Sequence, residues 1–457
     1  MEEDLTSTGQ LRTEVHVQRG SFRPIYYLGC KNEFADEVSR AILDVDPSGG
    51  RLGDLFAGTG SVAAALSSTI EVLTADVQEY SRVLCSAILN PYPIKPADIS
   101  GLVNRVKKNE SALLLKQCFK PLIDYENQCI DQAEHGNADP LVELLESEPV
   151  AAWTQENAID SPLTEVVNAV VSRLKDAQLM NSPNSTVSRM FGGVYFSFSQ
   201  AVALDSLLSD SNRNQDSADT FVSAVLSTAS NIVNTVGKQF AQPIRPRNKS
   251  GAIKSGLVKV VRKDRSLDTF AQYESWLHRY ADLPKSRGKP IVLRKDYLGA
   301  IQEHGSELSV LYADPPYTRD HYSRFYHVLE TMCLRDNPVF SKVKKNGKLE
   351  ISRGLYREER YQSEFCIRSR APKAFAELFK SASESRLPLV LSYSPHDDGD
   401  GTHPRVVSTE QILEVANQYY DRVELVSIQG SSHNNLNRVG LKLKERETAE
   451  ILVKCFV

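Results

Sequence analysis

The stretch GRLGDLFAGTGSVAAAL, Gly50 to Leu66, reads as a short apolar strand ending at Phe56, a turn of small residues, and a helix opening near Ser61. Downstream, IEVLTAD (70–76) is a second strand ending in an acid, and EYSRVLCSAIL (79–89) is a second helix. Strand, turn, helix, strand, helix is the start of a parallel α/β sheet. The alternation returns after residue 290. KPIVLRKD, LSVLYAD and LPLVLSYS read as strands, PKAFAELFKSASESR and TEQILEVANQYY as helices, and RVELVSI with TAEILVKCF as a closing antiparallel pair.

Between residues 98 and 289 the alternation disappears. Residues 98–180 read as helical and acidic, and 181–289 mix Ser, Asn, Gly and Pro with basic residues. The expected architecture is a sheet domain in two parts, 1–97 and 290–457, interrupted by an inserted, mainly helical domain at 98–289. LSDSNRNQDSADT (208–220) reads as a solvated loop or short disordered segment.

The chain has 457 residues, 41% hydrophobic and 25% charged, which are ordinary globular values. No apolar run approaches the roughly 18 residues of a membrane span, and the N-terminal stretch lacks the apolar core of a signal peptide, so the expected location is the cytoplasm. Seven cysteines without a C-x-x-C pair argue against a zinc knuckle and a disulfide framework. The net charge is −4, but Thr235–Lys295 holds fifteen Lys or Arg against four acids, +11 locally and −15 for the remainder. Within that window no nearby acids offset the cations, which points to phosphate binding by Arg245, Arg247, Lys249 and Lys254.

Two motifs carry chemistry. In DLFAGTGSV, Gly58 and Gly60 stand where a missing side chain lets a ligand approach the backbone and a helix N-terminus face it; such glycines also serve simply to pack a helix on a sheet. Asp76 ends the next strand, where an acid can accept hydrogen bonds from ribose hydroxyls or cap a helix. The third glycine of a dinucleotide fingerprint is missing, since Ala63 stands three past Gly60, so a smaller adenosine cofactor fits better. In LYADPPYTRDHYSRFYHVLE (311–330), Asp314 ends a strand at the carboxyl edge of the sheet, Pro315 and Pro316 remove two N–H donors, and Tyr317 supplies a flat face. An acceptor-only pocket suits an amino group, and the ring suits a base taken out of the helix; the alternative is a proline-rich turn with a buried tyrosine. Asp296 is either another acceptor at this site or a helix cap. Tyr322, Tyr326 and His327 either line the base pocket or pack in the core, and His433 is a loop histidine, structural or touching the DNA backbone.

DLFAGTGSV followed by LYADPPY, with YYLGCKNEFADEV ahead of both, resembles the Dam-like group of S-adenosylmethionine-dependent DNA adenine methyltransferases. The order of motifs matches, over residues 25–97 and 290–457; the insert is covered only at FGGVYFSFSQA and GKQFAQPIRP. The resemblance implies a Rossmann-like methyltransferase sheet with an antiparallel C-terminal strand, S-adenosyl-L-methionine as cofactor, and double-stranded DNA as partner. It implies that Tyr27 and Lys31 form the N-terminal cofactor motif, with Lys31 meeting the methionine carboxylate. Asp54, Phe56, Gly58 and Gly60 would surround the methionine moiety, and Asp76 would hold the ribose. Asp314 and the Pro315 backbone would accept hydrogen bonds from the target amine, with Tyr317 stacking on the flipped base. No metal is required, and a restriction or phage-defence component is a further partner to expect. A first-position Asp in D-P-P-Y favours adenine over cytosine. Methylation of cytosine N4, RNA methylation, and a DNA-binding homologue without catalysis are the alternatives.

Overall fold

The computed structural model describes residues 22–27, 31–153, 161–212, 215–316, 322–345, 347–394, 406–428 and 450–457. Nine strands are present among them: β1 (Leu52–Asp54), β2 (Val72–Asp76), β3 (Ile291–Arg294), β4 (Val310–Ala313), β5 (Lys342–Lys345), β6 (Lys348–Ile351), β7 (Leu389–Tyr393), β8 (Arg422–Ile428) and β9 (Glu450–Phe456). Seven form one sheet in the order β3-β2-β1-β4-β7-β9-β8. Pairing is parallel from β3 through β7, and β9 alone runs against its two neighbours. β5 and β6 form a separate antiparallel hairpin.

Side-chain alternation along these strands feeds two cores. Leu52, Val72, Val310, Tyr312, Val390 and Leu452 pack on one face with helix Ala35–Val45. Leu73, Ala75, Leu311, Leu389 and Val453 pack on the other with helix Ala371–Glu384. Because both faces are covered, the central strands read as continuous apolar runs.

Residues 98–289 contribute no strand to the sheet among those described. Their longest helices are Glu110–Glu134, Pro162–Asp176, Phe198–Ser211, Gln215–Ile232 and Thr269–Ala281. These helices build cores of their own, such as Leu115, Phe119, Leu163, Val170 and Val202, and also share one with the sheet domain. Leu204, Leu208, Val225, Trp276 and Tyr280 share one cluster with Val83 and Leu84 of helix Glu79–Leu89 and with Phe325, Tyr326 and Leu329.

The stretch 208–220 departs from the expected loop: its described residues belong almost entirely to helices Phe198–Ser211 and Gln215–Ile232. Helix Phe198–Ser211 is buried on every side, so its sequence shows no one-sided apolar stripe, and serines and aspartates are tolerated because the fold bonds them. Asp205, for example, accepts from the Val187 and Ser188 amides at 3.0 and 2.8 Å and from Ser188 Oγ at 2.6 Å.

The charge distribution also departs from the sequence expectation. Several of the cations of 235–295 are offset by acids, most of them outside that window. Arg262 meets Asp131 and Glu134 at 3.0 and 3.3 Å, Arg247 meets Glu146 at 3.2 Å, and Lys238 meets Asp264 at 2.9 Å. Arg265 forms a fully buried pair with Glu126, and its Nη2 donates to the Gly193 carbonyl at 2.7 Å.

Candidate functional site

The strand order reverses between β1 and β4, and in open parallel sheets ligands bind outside the carboxyl ends of the strands at such a point. Asp54 ends β1, and register places Asp76 and Asp314 two residues beyond its partners Thr74 and Tyr312. A cleft opens there. Tyr27, Lys31, Asp54, Phe56, Gly58, Asp76, Asp314, Pro315 and Pro316 all line it. Tyr317 and His433 lie outside the described residues.

Each lining group is held by local structure. Gly58 (φ +54°) and Gly60 (φ +71°) both adopt left-handed backbone that a side chain would strain. A Cβ on Gly58 would lie 2.9 Å from Tyr27 Oη, so the tyrosine rests on the glycine turn. Gly60 is the N-cap of helix Ser61–Leu66 and packs against Cys85, behind the cleft. The Tyr27 ring stacks on buried Tyr326, with centroids 4.8 Å apart and planes at 19°. Tyr326 is therefore core, whereas Tyr322 lines the cleft. His327 is buried in the core, its Nε2 2.8 Å from the Gly354 carbonyl, and burial with Arg360 and Arg357 nearby pushes its pKa down to about 3.

Asp76 accepts from the Gly58 amide at 3.0 Å and the Gln78 amide at 2.9 Å. It thus closes the glycine turn and fixes the backbone that leads into the next helix, and two acceptor oxygens keep further capacity toward the cleft. Asp296 caps helix Tyr297–His304 through the Gly299 amide at 2.8 Å while still lining the cleft. Phe56 stacks on Tyr297 at 5.4 Å, forming an apolar wall.

The charged centre is a buried triad. Lys31 Nζ lies 3.2 Å from Asp314 Oδ1 and 3.3 Å from Glu450 Oε1, and Ser392 Oγ donates to Glu450 Oε1 at 3.0 Å. Burial pushes the Asp314 carboxyl up to about 6; Lys31 opposes that rise and Glu450 adds to it. Asp54 is pushed up to about 8 by burial and by the neighbouring Asp314 and Asp76 carboxylates. Asp76 is also raised, by burial against the pull of its two backbone donors. Carboxylates held uneasy by one another at a cleft mark a place built for a ligand that relieves them.

Residues 27–134 match the family described as D12 class N6 adenine-specific DNA methyltransferase. The chain is also similar to the modification methylase LlaI of Lactococcus lactis subsp. lactis, 21% identical over 430 residues that cover 93% of this chain and 54% of that protein. The chain therefore spans about half the length of the curated relative it matches. The family match takes in Tyr27, Lys31, Asp54, Gly58 and Asp76 and stops short of β4.

Arg245, Arg247, Lys249 and Lys254 are not among the residues that line the cleft and belong to the segment before helix Leu257–Arg265; all are exposed, and Arg247 is engaged with Glu146. Sequence reasoning missed Glu450, Tyr297 and the wall Tyr361–Ser363 with Cys366, whose Sγ donates to the Pro316 carbonyl at 3.7 Å. An acid heading an otherwise apolar strand was the available signal for Glu450. Among the described residues, no cluster of His, Cys, Asp or Glu is arranged to hold a metal, and no helix is long and apolar enough to cross a membrane.

Proposed function

We propose that this chain methylates the exocyclic N6 amine of adenine in double-stranded DNA, on a nucleotide turned out of the duplex, with S-adenosylmethionine as donor. The observation that carries this reading is the convergence of residues 27–76, inside the methyltransferase match, with the Asp314-Pro315-Pro316 corner of the adjoining strand in one cleft. S-adenosylmethionine supplies a methyl group on a positively charged sulfur. The acceptor set fits such a cation: Asp54, Asp76 and Asp314 line the cleft, and its one lysine, Lys31, is divided between Asp314 and Glu450, so carboxyls outnumber the cation that faces them.

The residues divide the work as follows. Asp76 holds ribose hydroxyls with the acceptor capacity its backbone donors leave. Tyr27, Phe56 and the glycine turn enclose the methionine end. Lys31 fixes Asp314 through Oδ1, leaving the second carboxylate oxygen to the target. Asp314 and the Pro315 carbonyl accept both amino hydrogens, which favours a pyramidal nitrogen with its lone pair aimed at the methyl group. Orientation and electrostatics then supply most of the acceleration. As the nitrogen gains the methyl group, Asp314 is the first acceptor for the proton it sheds. Tyr317 stacks on the flipped base.

In this reading residues 98–289 are the inserted target-recognition domain between catalytic parts 1–97 and 290–457. A restriction partner belongs to the same proposal, supported by the relative's name as a modification methylase; a phage-defence partner rests on the sequence expectation alone. The test is incubation with duplex DNA and methyl-labelled S-adenosylmethionine, followed by nucleoside mass spectrometry and modification-sensitive sequencing. N6-methyladenine in a fixed sequence context is expected. Label on cytosine, label on RNA alone, or no transfer despite calorimetric binding of the cofactor overturns the reading.

A further inference from the structure

Three arginines from three distant parts of the chain surround one tyrosine ring beside the cleft, and a fourth, Arg353, neighbours one of them, Arg245. Arg324 lies with Cζ 5.7 Å from the Tyr356 ring centroid and Arg360 with Cζ 5.2 Å. Tyr356 Oη donates to the Ala241 carbonyl, and Arg353 Nη2 donates to the Ile244 carbonyl at 2.8 Å, which ties the 241–245 segment to this corner and brings in Arg245.

Among the described residues none of the four forms an ion pair with a carboxylate, although other arginines of the same chain do. Arg357, one residue from Tyr356, grips Asp336 at 2.7 and 2.6 Å, and Arg82 grips Asp219 at 2.8 and 2.7 Å. The acid acting on Arg353, Glu146, is itself bonded to Arg247 at 3.2 Å. Burial presses both Arg353 and Arg360 below the usual arginine range; Arg324 adds to it at Arg360, and at Arg353 Glu146 opposes it while Arg245 adds to it. Guanidinium groups crowded together without acids repel one another, and an anion shared between them removes the repulsion. The planar fork of arginine matches a phosphate's oxygens in pairs.

Position decides which anion. Arg324 follows Ser323 and Arg360 precedes Tyr361, and both Ser323 and Tyr361 line the cleft. Consecutive Cα atoms stand about 3.8 Å apart, so the cluster sits at the rim. A nucleotide whose base enters the cleft leaves its phosphates there.

We infer that Arg245, Arg324 and Arg360, gathered around Tyr356, form with Arg353 a phosphate-binding site that grips the DNA backbone next to the flipped nucleotide. The inference rests on the DNA-methylating reading above and extends it to Arg324, Arg353 and Arg360, which that reading leaves without a role. Since Arg353 and Arg360 also brace backbone carbonyls, the clean probes are Arg324 and Arg245, both exposed.

The experiment titrates duplex binding against salt for the parent, Arg324→Gln, Arg245→Gln and the double variant, with Arg324→Lys as the charge-keeping control. Each Gln substitution should weaken binding to all duplexes alike and lower the log-log salt slope by about 0.9. The Lys variant should restore the slope, and calorimetric affinity for S-adenosylmethionine should be unchanged throughout. A parent that binds duplex while the Gln variants keep its slope overturns this inference alone. A parent that binds S-adenosylmethionine but no duplex overturns the DNA reading and this inference with it.

Discussion

The cleft and the helical module treat buried charge in opposite ways. In the module, Arg265 and Glu126 are almost fully buried, and each is satisfied: Glu126 Oε2 accepts the Phe198 amide at 2.7 Å while Arg265 also holds Gly193 and Asn234. In the cleft, Lys31 is divided between Asp314 and Glu450, with Asp54 and Asp76 lining the same space; burial raises these carboxyls as it raises Glu126, but neighbouring carboxylates push Asp54 and Asp314 further up, whereas Arg265 pulls Glu126 back. A satisfied pair specifies how helices meet. An unbalanced set gives up stability in the free protein and recovers it when a cation binds, so the imbalance marks function more sharply than the amount of charge does.

The sharpest way to break this contrast is to remove the cleft's key acceptor. Asp314→Ala should cut methyl transfer by more than about a hundredfold, the scale on which loss of one preorganised polar partner acts. Folding should be retained, because the residue sits at a strand end and gives up an unfavourable buried charge. Near-parental turnover, read by label transfer to duplex, would remove Asp314 from the chemistry.

In the module the same truncation should do the reverse. Glu126→Ala leaves Arg265 buried and uncompensated and should cost about 3–5 kcal/mol of stability, read by urea unfolding. A loss under about 1 kcal/mol would show that water reaches the pair and that the two regions do not differ as argued.

What sequence revealed follows the same divide. Strands β1, β2 and β4 and the residues that end them were legible, because a buried parallel strand is a bare apolar run and its terminal acid stands out. Tyr27 and Lys31 were legible only through the resemblance to a known family. The pairing of Arg265 with Glu126 was not, since the partners stand 139 positions apart and a local charge count cannot see across that distance. Glu450 was missed for the same reason: it completes the Lys31 centre from the last strand of the sheet. Helix Phe198–Ser211 was read as loop at its end because burial on all sides erases the periodicity that reveals a helix.

The raised carboxyls give the comparison a pH signature. Asp54 at about 8 and Asp314 at about 6 hold protons that the unfolded chain has released by about pH 5. The native state then binds more protons than the unfolded state between those limits, so unfolding free energy falls as pH rises through the window. The contribution is fully present below about pH 4 and is lost by about pH 8. Melting temperature should therefore drop from pH 5.5 to pH 8, and Asp54→Asn should flatten the profile and raise stability at pH 8, by on the order of a few kcal/mol at most. An unchanged profile would place the proton elsewhere.

The smallest expected effect separates two arginines that sequence alone could not distinguish. Arg247 and Arg245 stand two residues apart, both exposed, in the same basic segment. Arg247 is bonded to Glu146 at 3.2 Å and to the Gly251 carbonyl at 3.2 Å, so its charge is spent inside the protein. Exposed pairs of this kind contribute about 0–1 kcal/mol, and Arg247→Ala should shift stability by no more than that. Its removal also exposes Glu146, whose negative charge acts on Arg353. Arg247→Ala should therefore leave the salt slope of duplex binding essentially at the parental value, where Arg245→Ala lowers it by about 0.9. Equal slopes for the two variants would mean that the pairing seen here does not hold Arg247 away from DNA, and that the whole segment acts as one diffuse cationic surface.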